Sequence, residues 1–536
     1  MMKKISKRLS VKWFVAASAV MISVISCQKH YDPNFTLPHQ FKPGNIDITT
    51  AQTQATLQWS ASLFSGSTTS YTFQVSQDST FAGTMAFNQS VTATTVVLTD
   101  SILKPRQSYF ARVKANAVSS TAESGWVTSA KFSITGQQIF LTPASSDIID
   151  NSVLLKWKPT NGLTTIVITP QSGTAITVNL TQADLTALQK IISGLSGSTK
   201  YSAEIFAGTV SKGYLTFMTA APLSGNLVDL RGIDGRPSVL SDTLPLIPDN
   251  STVILKRGQT YAISAALNLG QSVTIISGAD LTNPNQAVVS LPANFNITAG
   301  STIDHIIFQD VYLLATDYTS KYVFNISNAC TIGSIDFESC RIENMRGICR
   351  LQTAVITLSK YIINNCIVDS ISNYGLITID NANCKADNIS IKNSTIYKTE
   401  RGIISTKQTA GSTSIVIDQC TFNEAPQANN TASFVVDYKT FNVTNGVSIT
   451  NCIFGVAKPN GATLDASDIR VGTSTTVTST NNYVTSDHVA STFPLTPVIS
   501  YSGVSTSLWQ DPTNGNFKFA DNSFAGKNSA GDPRWR

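Results

Sequence analysis

The fold is decided by Ile335-Asp336-Phe337-Glu338-Ser339-Cys340-Arg341-Ile342. The phrase returns as Tyr361-Ile-Ile-Asn-Asn-Cys366-Ile-Val368, Ile389-Ser-Ile-Lys-Asn-Ser394-Thr-Ile396, Ile415-Val-Ile-Asp-Gln-Cys420-Thr-Phe422 and Val447-Ser-Ile-Thr-Asn-Cys452-Ile-Phe454. Weaker copies lie at Ile306–Leu313 and Val477–Val484. The Cys-or-Ser position steps through 340, 366, 394, 420 and 452, intervals of 26, 28, 26 and 32 residues. A repeat of this length marks a solenoid, in which each copy buries its apolar face against the next. Every copy is β-branched and alternates with period 2, so each is a strand and the solenoid is a parallel β-helix with one coil per copy.

The residue before the Cys-or-Ser position is Ser339, Asn365, Asn393, Gln419 or Asn451. Asn tolerates the left-handed backbone region, so a tight turn with a polar ladder is expected there. Cys340, Cys366, Cys420 and Cys452 then stack inward as small apolar groups, without disulfides. Seven cysteines follow Cys27, an odd number, and none lies at zinc-finger spacing. Helical periodicity is nearly absent, with Leu185–Ile192 the best stretch.

Working outward, residues 44–135 alternate as half-buried strands: Ala55, Leu57 and Trp59 on one face, then Tyr71, Phe73 and Val75. Leu103-Lys-Pro-Arg-Gln-Ser-Tyr109 follows. Residues 138–220 repeat the plan with Trp157, Leu195 and Tyr201 but lack the Pro. Both segments resemble fibronectin type III sandwiches, in which the early Trp is a core residue and the Leu…Tyr stretch a tyrosine corner. The repeats over roughly 225–510 resemble right-handed β-helices of the pectate-lyase type. Residues 511–536 form a C-terminal cap segment. Its ending, Gly531-Asp532-Pro533-Arg534-Trp535, is similar to endings of β-helix lipoproteins from glycan-degrading Gram-negative bacteria. The fold class is therefore all-β: two β-sandwich modules followed by a right-handed parallel β-helix.

Residues 1–26 carry five basic residues, no acid, and an apolar run from Trp13 to Ile25. A run of thirteen residues, interrupted only by Ser18 and Ser23, is too short to span a bilayer and suits a signal peptide. The run ends Val24-Ile25-Ser26-Cys27, which resembles a bacterial lipobox and implies lipidation at Cys27, with residues 27–43 as a tether. Gln28 in place of Asp implies the outer membrane, with the periplasmic or outer face open. Beyond residue 26 the chain has 33 basic and 33 acidic residues, a balance that argues against a nucleic-acid partner.

No nucleophile elbow, phosphate loop or dinucleotide fingerprint is present. Taking Gly347, Gly375 and Gly402 as equivalent aligns Gln352, Asp380, Lys407 and Asp437 in one outward column. A second column holds Arg346, Tyr374 and Arg401, with Arg350 close to both. Arg forks match carboxylates, and Tyr can stack on a pyranose ring. These residues point to an acidic, uronate-containing polysaccharide, bound by a lipid-anchored envelope protein that works with outer-membrane uptake proteins. Two alternatives stay open. One is a polysaccharide lyase with Lys407 as the base and Ca²⁺ held by Asp380 and Asp437. The other is a structural or adhesive surface protein with a salt-bridged face. Glu343, Asp369 and Glu424 read as scattered.

Overall fold

In the computed structural model, residues 38–119, 121–407, 411–427, 433–457 and 466–536 are described. Residues 1–26, expected above to be a signal peptide, and Cys27 lie outside them. No described helix is long and apolar enough to cross a membrane. The chain divides into two compact units, one holding most of the sandwich residues and the other the solenoid.

The first sandwich pairs Asp47–Thr50, Gln54–Gln58 and Thr95–Thr99 in one sheet. Phe87–Val91, Tyr71–Ser76, Phe110–Ala115 and Val127–Thr128 form the other. Alternation puts Ala55, Leu57, Phe73 and Val75 wholly inside, and Trp59 stacks on Phe73 with ring centroids 5.2 Å apart. The backbone N–H of Lys104 donates to Tyr109 Oη at 2.8 Å, closing the arch after Leu103. In the next segment, Thr165–Pro170, Ile176–Asn179, Lys200–Ala207 and Val210–Met218 form a four-stranded antiparallel sheet. Tyr201 is buried there and stacks on Phe217. The helix expected at Leu185–Ile192 is displaced to Gln182–Ala187. Thr181 and Asp184 cap it reciprocally, Leu188 ends it in the left-handed region, and Gln189–Ser193 continues as a strand.

From Asn226 the chain climbs as a parallel β-solenoid of about nine turns. A ten-stranded sheet forms its first face, and a seventeen-stranded sheet supplies the second and third faces. The repeat alignment is the structural register. Ile335, Tyr361, Ile389, Ile415 and Val447 pair in one inward column. Ile342, Val368, Ile396, Phe422 and Phe454 pair in another across the corner. The corner residues Asp310, Ser339, Asn365, Asn393, Gln419, Asn451 and Asn481 all have φ between 53° and 57°, except Asn393 at 51°. Asn481 Nδ2 donates to Asn451 Oδ1 at 2.8 Å as the ladder predicts. Asn393 and Asn451 instead donate to Asn364 and Asp418, near the end of the preceding rung's first strand.

The seven cysteines of the solenoid are buried and unpaired. Cys340 N–H donates to Cys366 Sγ at 3.3 Å, and Cys366 N–H donates to Ser394 Oγ at 3.0 Å. Burial pushes the Cys330 and Cys384 thiols up to about 11, which suppresses the reactive thiolate.

The tail returns over the second face. Trp509, Phe517, Phe519 and Phe524 pack with Tyr397, Ile453 and Tyr483. Asp532 accepts from Thr395 Oγ1 at 2.7 Å and donates its N–H to Thr421 Oγ1 at 2.9 Å. Arg534 donates to the Asn365 carbonyl at 2.6 Å, and Trp535 Nε1 to Thr395 Oγ1 at 2.7 Å. The Gly-Asp-Pro-Arg-Trp ending thus acts as a lateral cover.

In the last rungs, buried His488 faces only acceptors: the Gly455 carbonyl at 3.0 Å from Nδ1 and Asp468 Oδ1 at 3.1 Å from Nε2. An imidazolium satisfies both, whereas a neutral ring turns a lone pair toward one of them. Burial alone would lower the imidazole, but the bond to Asp468 more than offsets this and raises it above 6.5.

Two predictions follow from these contacts. Asn451→Val, which loses the amide bonds and strains a β-branched residue at φ 54°, should cost about 2–3 kcal/mol in urea unfolding. Asn451→Gly, which loses only the bonds, should cost about 1 kcal/mol; equal costs would mean the corner conformation is not the constraint. Because the folded His488 value is raised, its stabilisation is complete below pH 6.5 and is lost as pH rises through the folded value. Melting should therefore fall between pH 6 and pH 9 in the native chain, with a weaker pH dependence in His488→Gln.

Candidate functional site

A second left-handed corner joins the second face to the third, at Asn344, Ser370, Lys398 and Glu424, with φ of 62°, 57°, 50° and 49°. Beyond it the rungs stop being equal. Met345 pairs with Ile371 and Cys349 with Ile377, so four steps on one rung oppose six on the next. Ile371 pairs with Thr399 and Ile377 with Ile403, so six oppose four again. The rung from Cys366 therefore carries two extra residues within Ser372-Asn373-Tyr374. This accounts for its 28-residue interval against 26 on either side. A bulge re-aims side chains, and this one presents Tyr374.

Three side chains meet on the Tyr374 ring. Arg346 Cζ lies 4.4 Å from its centroid, Arg350 Cζ lies 4.5 Å away, and Tyr322 approaches edge-on at 5.6 Å. Arg346 Nε also donates to Asn373 Oδ1 at 3.3 Å. Backbone approach is close here. A Cβ on Gly347 would stand 2.6 Å from Tyr374 Cβ, and one on Gly375 would stand 2.4 Å from the Arg401 and Gly402 carbonyl oxygens. Gly375 also sits at φ 60°. Both glycines are required by the corner.

The bulge breaks the expected columns. Matching Gly402 to Gly375 would point Ile404 and Thr406 inward, but Ile403 and Ser405 pair with Ile377 and Ile379 and continue the inward series. Arg401 does not join Arg346 and Tyr374. It lines a small apolar nook with Leu376, Phe422, Pro426 and Val435. Tyr374 is no open platform for a sugar ring, because guanidinium groups and Tyr322 already engage it.

Asp380 is held from both neighbouring rungs. Arg350 donates to its Oδ2 from Nε at 3.0 Å and from Nη2 at 2.5 Å, and Lys407 Nζ donates to Oδ1 at 2.7 Å. Burial by itself would raise this carboxyl, but the hydrogen bonds of Lys407 and Arg350 outweigh it and hold the group below 3.8. Asp437 opposes Ile404 and Arg470 rather than Lys407, and Arg470 grips it through two bonds of 2.8 and 2.7 Å. The Arg470 guanidinium also lies 4.2 Å from the Phe434 ring. Asp380 and Asp437 stand two rungs apart, roughly 9.6 Å along the stack. Calcium takes oxygens at about 2.3–2.6 Å, so these carboxylates, each tied to its own arginine, do not form the expected Ca²⁺ site. Among the described residues no group of three or more His, Cys, Asp or Glu could hold a metal ion.

Two clusters were not legible in the sequence. Glu343 and Asp369 are paired across adjacent rungs of the second face, not scattered. Tyr312 Oη donates to Glu343 at 2.6 Å, Tyr397 Oη donates to Asp369 at 2.5 Å, and Arg341 Nε donates to Glu343 at 2.8 Å. Burial first, then the bond to Glu343, pushes Tyr312 up to about 12. Every member has a partner within the network. Nearby, buried Glu400 accepts from Tyr318 Oη at 3.0 Å and Ser372 Oγ at 3.2 Å. The 28-residue interval was the one available signal for the bulge.

Three family models match parts of the chain. That of tissue factor covers residues 18–124, and two described as domains of unknown function, DUF4957 and DUF5123, cover 259–399 and 415–535. Comparison with curated proteins gives no match. Among solved structures, a two-domain fibronectin type III segment of chicken tenascin is 17% identical, over 33% of this chain and 97% of that one, with a TM-score of 0.18. The FN1–FN3 domains of chicken CNTN1 are 14% identical, over 34% of this chain and 69% of that one, with a TM-score of 0.16. The chain carries antiparallel β-sandwich sheets ahead of a parallel β-solenoid.

Asp380→Asn should lower stability by about 1–3 kcal/mol at neutral pH, because it strips the carboxylate from Arg350, whose side chain is only 20% exposed. Since the folded carboxyl lies below 3.8, the difference from the native chain should shrink as pH falls through that value. Lys407→Ala, at a side chain 58% exposed, should cost under about 1 kcal/mol. Thermal melts of both variants from pH 7 to pH 3 check the pair.

Proposed function

We propose that the chain is a lipid-anchored envelope protein whose solenoid binds an acidic, uronate-containing polysaccharide at the Tyr374 bulge, in a polysaccharide-uptake system. Arg346 carries the reading. Its guanidinium lies on an aromatic ring, is oriented by Asn373, and makes no ion pair among the described residues. A guanidinium fixed this way offers N–H edges to a ligand carboxylate with little entropy left to lose. Arg350, drawn to the same ring, adds positive potential while Asp380 fixes its orientation. The parallel stack supplies the extended direction a chain of sugars needs, and the sandwiches set the distance from the anchor at Cys27.

The same contacts favour binding over β-elimination. The Lys407 ammonium is committed to Asp380 at 2.7 Å, whereas a base for the uronate proton needs a free lone pair.

Affinity electrophoresis through gels containing polygalacturonate or other polyuronates tests the reading. The native chain should be retarded, and Arg346→Ala should weaken binding about tenfold or more, since a hydrogen bond between charged groups contributes roughly 1.5–3 kcal/mol. Its melting temperature should stay nearly unchanged. Full retardation of Arg346→Ala, or no retardation of the native chain by any polyuronate, overturns the proposal. Absorbance of an unsaturated product would restore the lyase reading.

A further inference from the structure

Folding of the first sandwich buries Trp59, Tyr71, Phe73 and Tyr109 almost completely, yet one end leaves large apolar side chains in water. Phe64 is 88% exposed and Leu63 is 66% exposed, with Phe41 beside them at 37%. The Phe41 and Phe64 rings contact each other, centroids 5.7 Å apart. Leu63 and Phe41 share a shallow cleft with His39, Lys42 and Glu123. Phe64 is also held at φ 58°, a region a bulky residue enters only under strain. Neither the exposure nor the strain serves the core of the sandwich, and strain of this kind gathers where a surface is used.

The chain enters the sandwich at this same end. His39 bridges to Ala122, Gln40 N–H donates to the Ala122 carbonyl at 2.8 Å, and Gly44 N–H to the Ser60 carbonyl at 2.8 Å. Phe41 is 14 residues beyond Cys27, a reach of about 50 Å even when fully extended. The apolar end is thus the part of the folded chain nearest the anchor in sequence. Lys42 sits beside it with its stem against Gly125. Such a stem can lie in an apolar layer while its ammonium reaches phosphate.

The geometry points to a membrane-contact surface: Phe41, Leu63 and Phe64 insert at the boundary between headgroups and acyl chains, with Lys42 at the headgroup phosphates. A lipid surface fits because the patch is apolar, small, rimmed by a cation and tethered close to acyl chains. The inference rests on the reading of Cys27 as a lipid anchor. It adds that the first sandwich lies on the bilayer by one end instead of tumbling at the limit of its tether.

The test uses the full lipidated chain in vesicles of phosphatidylethanolamine and phosphatidylglycerol that contain nitroxide-labelled lipids. Ser65→Cys carries a fluorophore next to Phe64, and a second protein carries it through Ser101→Cys at the opposite end of the sandwich. The seven native thiols of the solenoid are buried. Quenching at position 65 should exceed that at position 101 at least twofold, and Phe41→Ser/Leu63→Ser/Phe64→Ser should abolish the excess while the protein still floats with the vesicles. Equal quenching at the two positions, or an excess that survives the triple substitution, overturns the membrane contact and leaves the anchor reading standing. A protein that does not float overturns the anchor reading, and the contact with it.

Discussion

From Asp310 to Asn481, one residue in the left-handed region turns each rung from its first strand to its second, and the solenoid is organised by that corner. With a single residue at the turn, the inward position five residues before the Cys-or-Ser site and the inward position two residues after it are fixed relative to each other. Stacking adds that every rung must turn at the same height. A side chain at the corner then has its neighbours set one rung above and below, and for this reason short polar residues that tolerate positive φ recur there. A second left-handed corner repeats the constraint at Asn344, Ser370, Lys398 and Glu424. Two faces are therefore locked in register, and variation in rung length passes to the approach of the third.

This division explains what the sequence disclosed. The phrase around Cys340 spans two strands and a one-residue corner, so its spacing survives from rung to rung in the sequence itself. The third strand lies beyond a corner of changing length. Ile377 pairs with Ile403, so Gly402 stands one residue past the position opposite Gly375, and the columns built on matching the two glycines came apart: Lys407 and Asp437 separated, and Arg401 turned into an apolar nook. Arg346, Arg350 and Tyr374 did converge, because Gly347 and Gly375 are true partners across the insertion. The Glu343–Asp369 pair escaped notice for another reason. Nothing in either phrase marks an outward residue as stacked until the register is known, although both carboxylates hold the same offset from their cysteines. The short helix was missed in its details because its capping residues, Thr181 and Asp184, precede the apolar periodicity that drew attention to Leu185–Ile192.

The irregular corner also gives the Tyr374 region its character. A fully regular rung exposes only the flat alternation of a sheet. Extra length at one corner raises a tyrosine above that surface, and neighbouring rungs supply arginines at heights the register already fixes. Asp380 receives its two cations from the rungs on either side, so the ion pairs also fasten successive rungs together. The rigidity that holds the guanidinium groups in place is inherited from the stack and not from a loop.

The tail has a consequence for how such a chain comes into being. Arg534 binds the carbonyl of Asn365, a residue 169 positions earlier, and Trp535 reaches Thr395 across 140. Rungs can dock one upon another as soon as each is available, but the flank bearing Ile453, Tyr397 and Tyr483 stays open until the segment from Trp509 onward folds back over it. Synthesis delivers those residues after the rungs they cover. This flank of the solenoid is thus covered only after its rungs have stacked, and a chain cut before Trp509 is left with an apolar flank exposed, open to the proteases and chaperones that recognise unfinished protein.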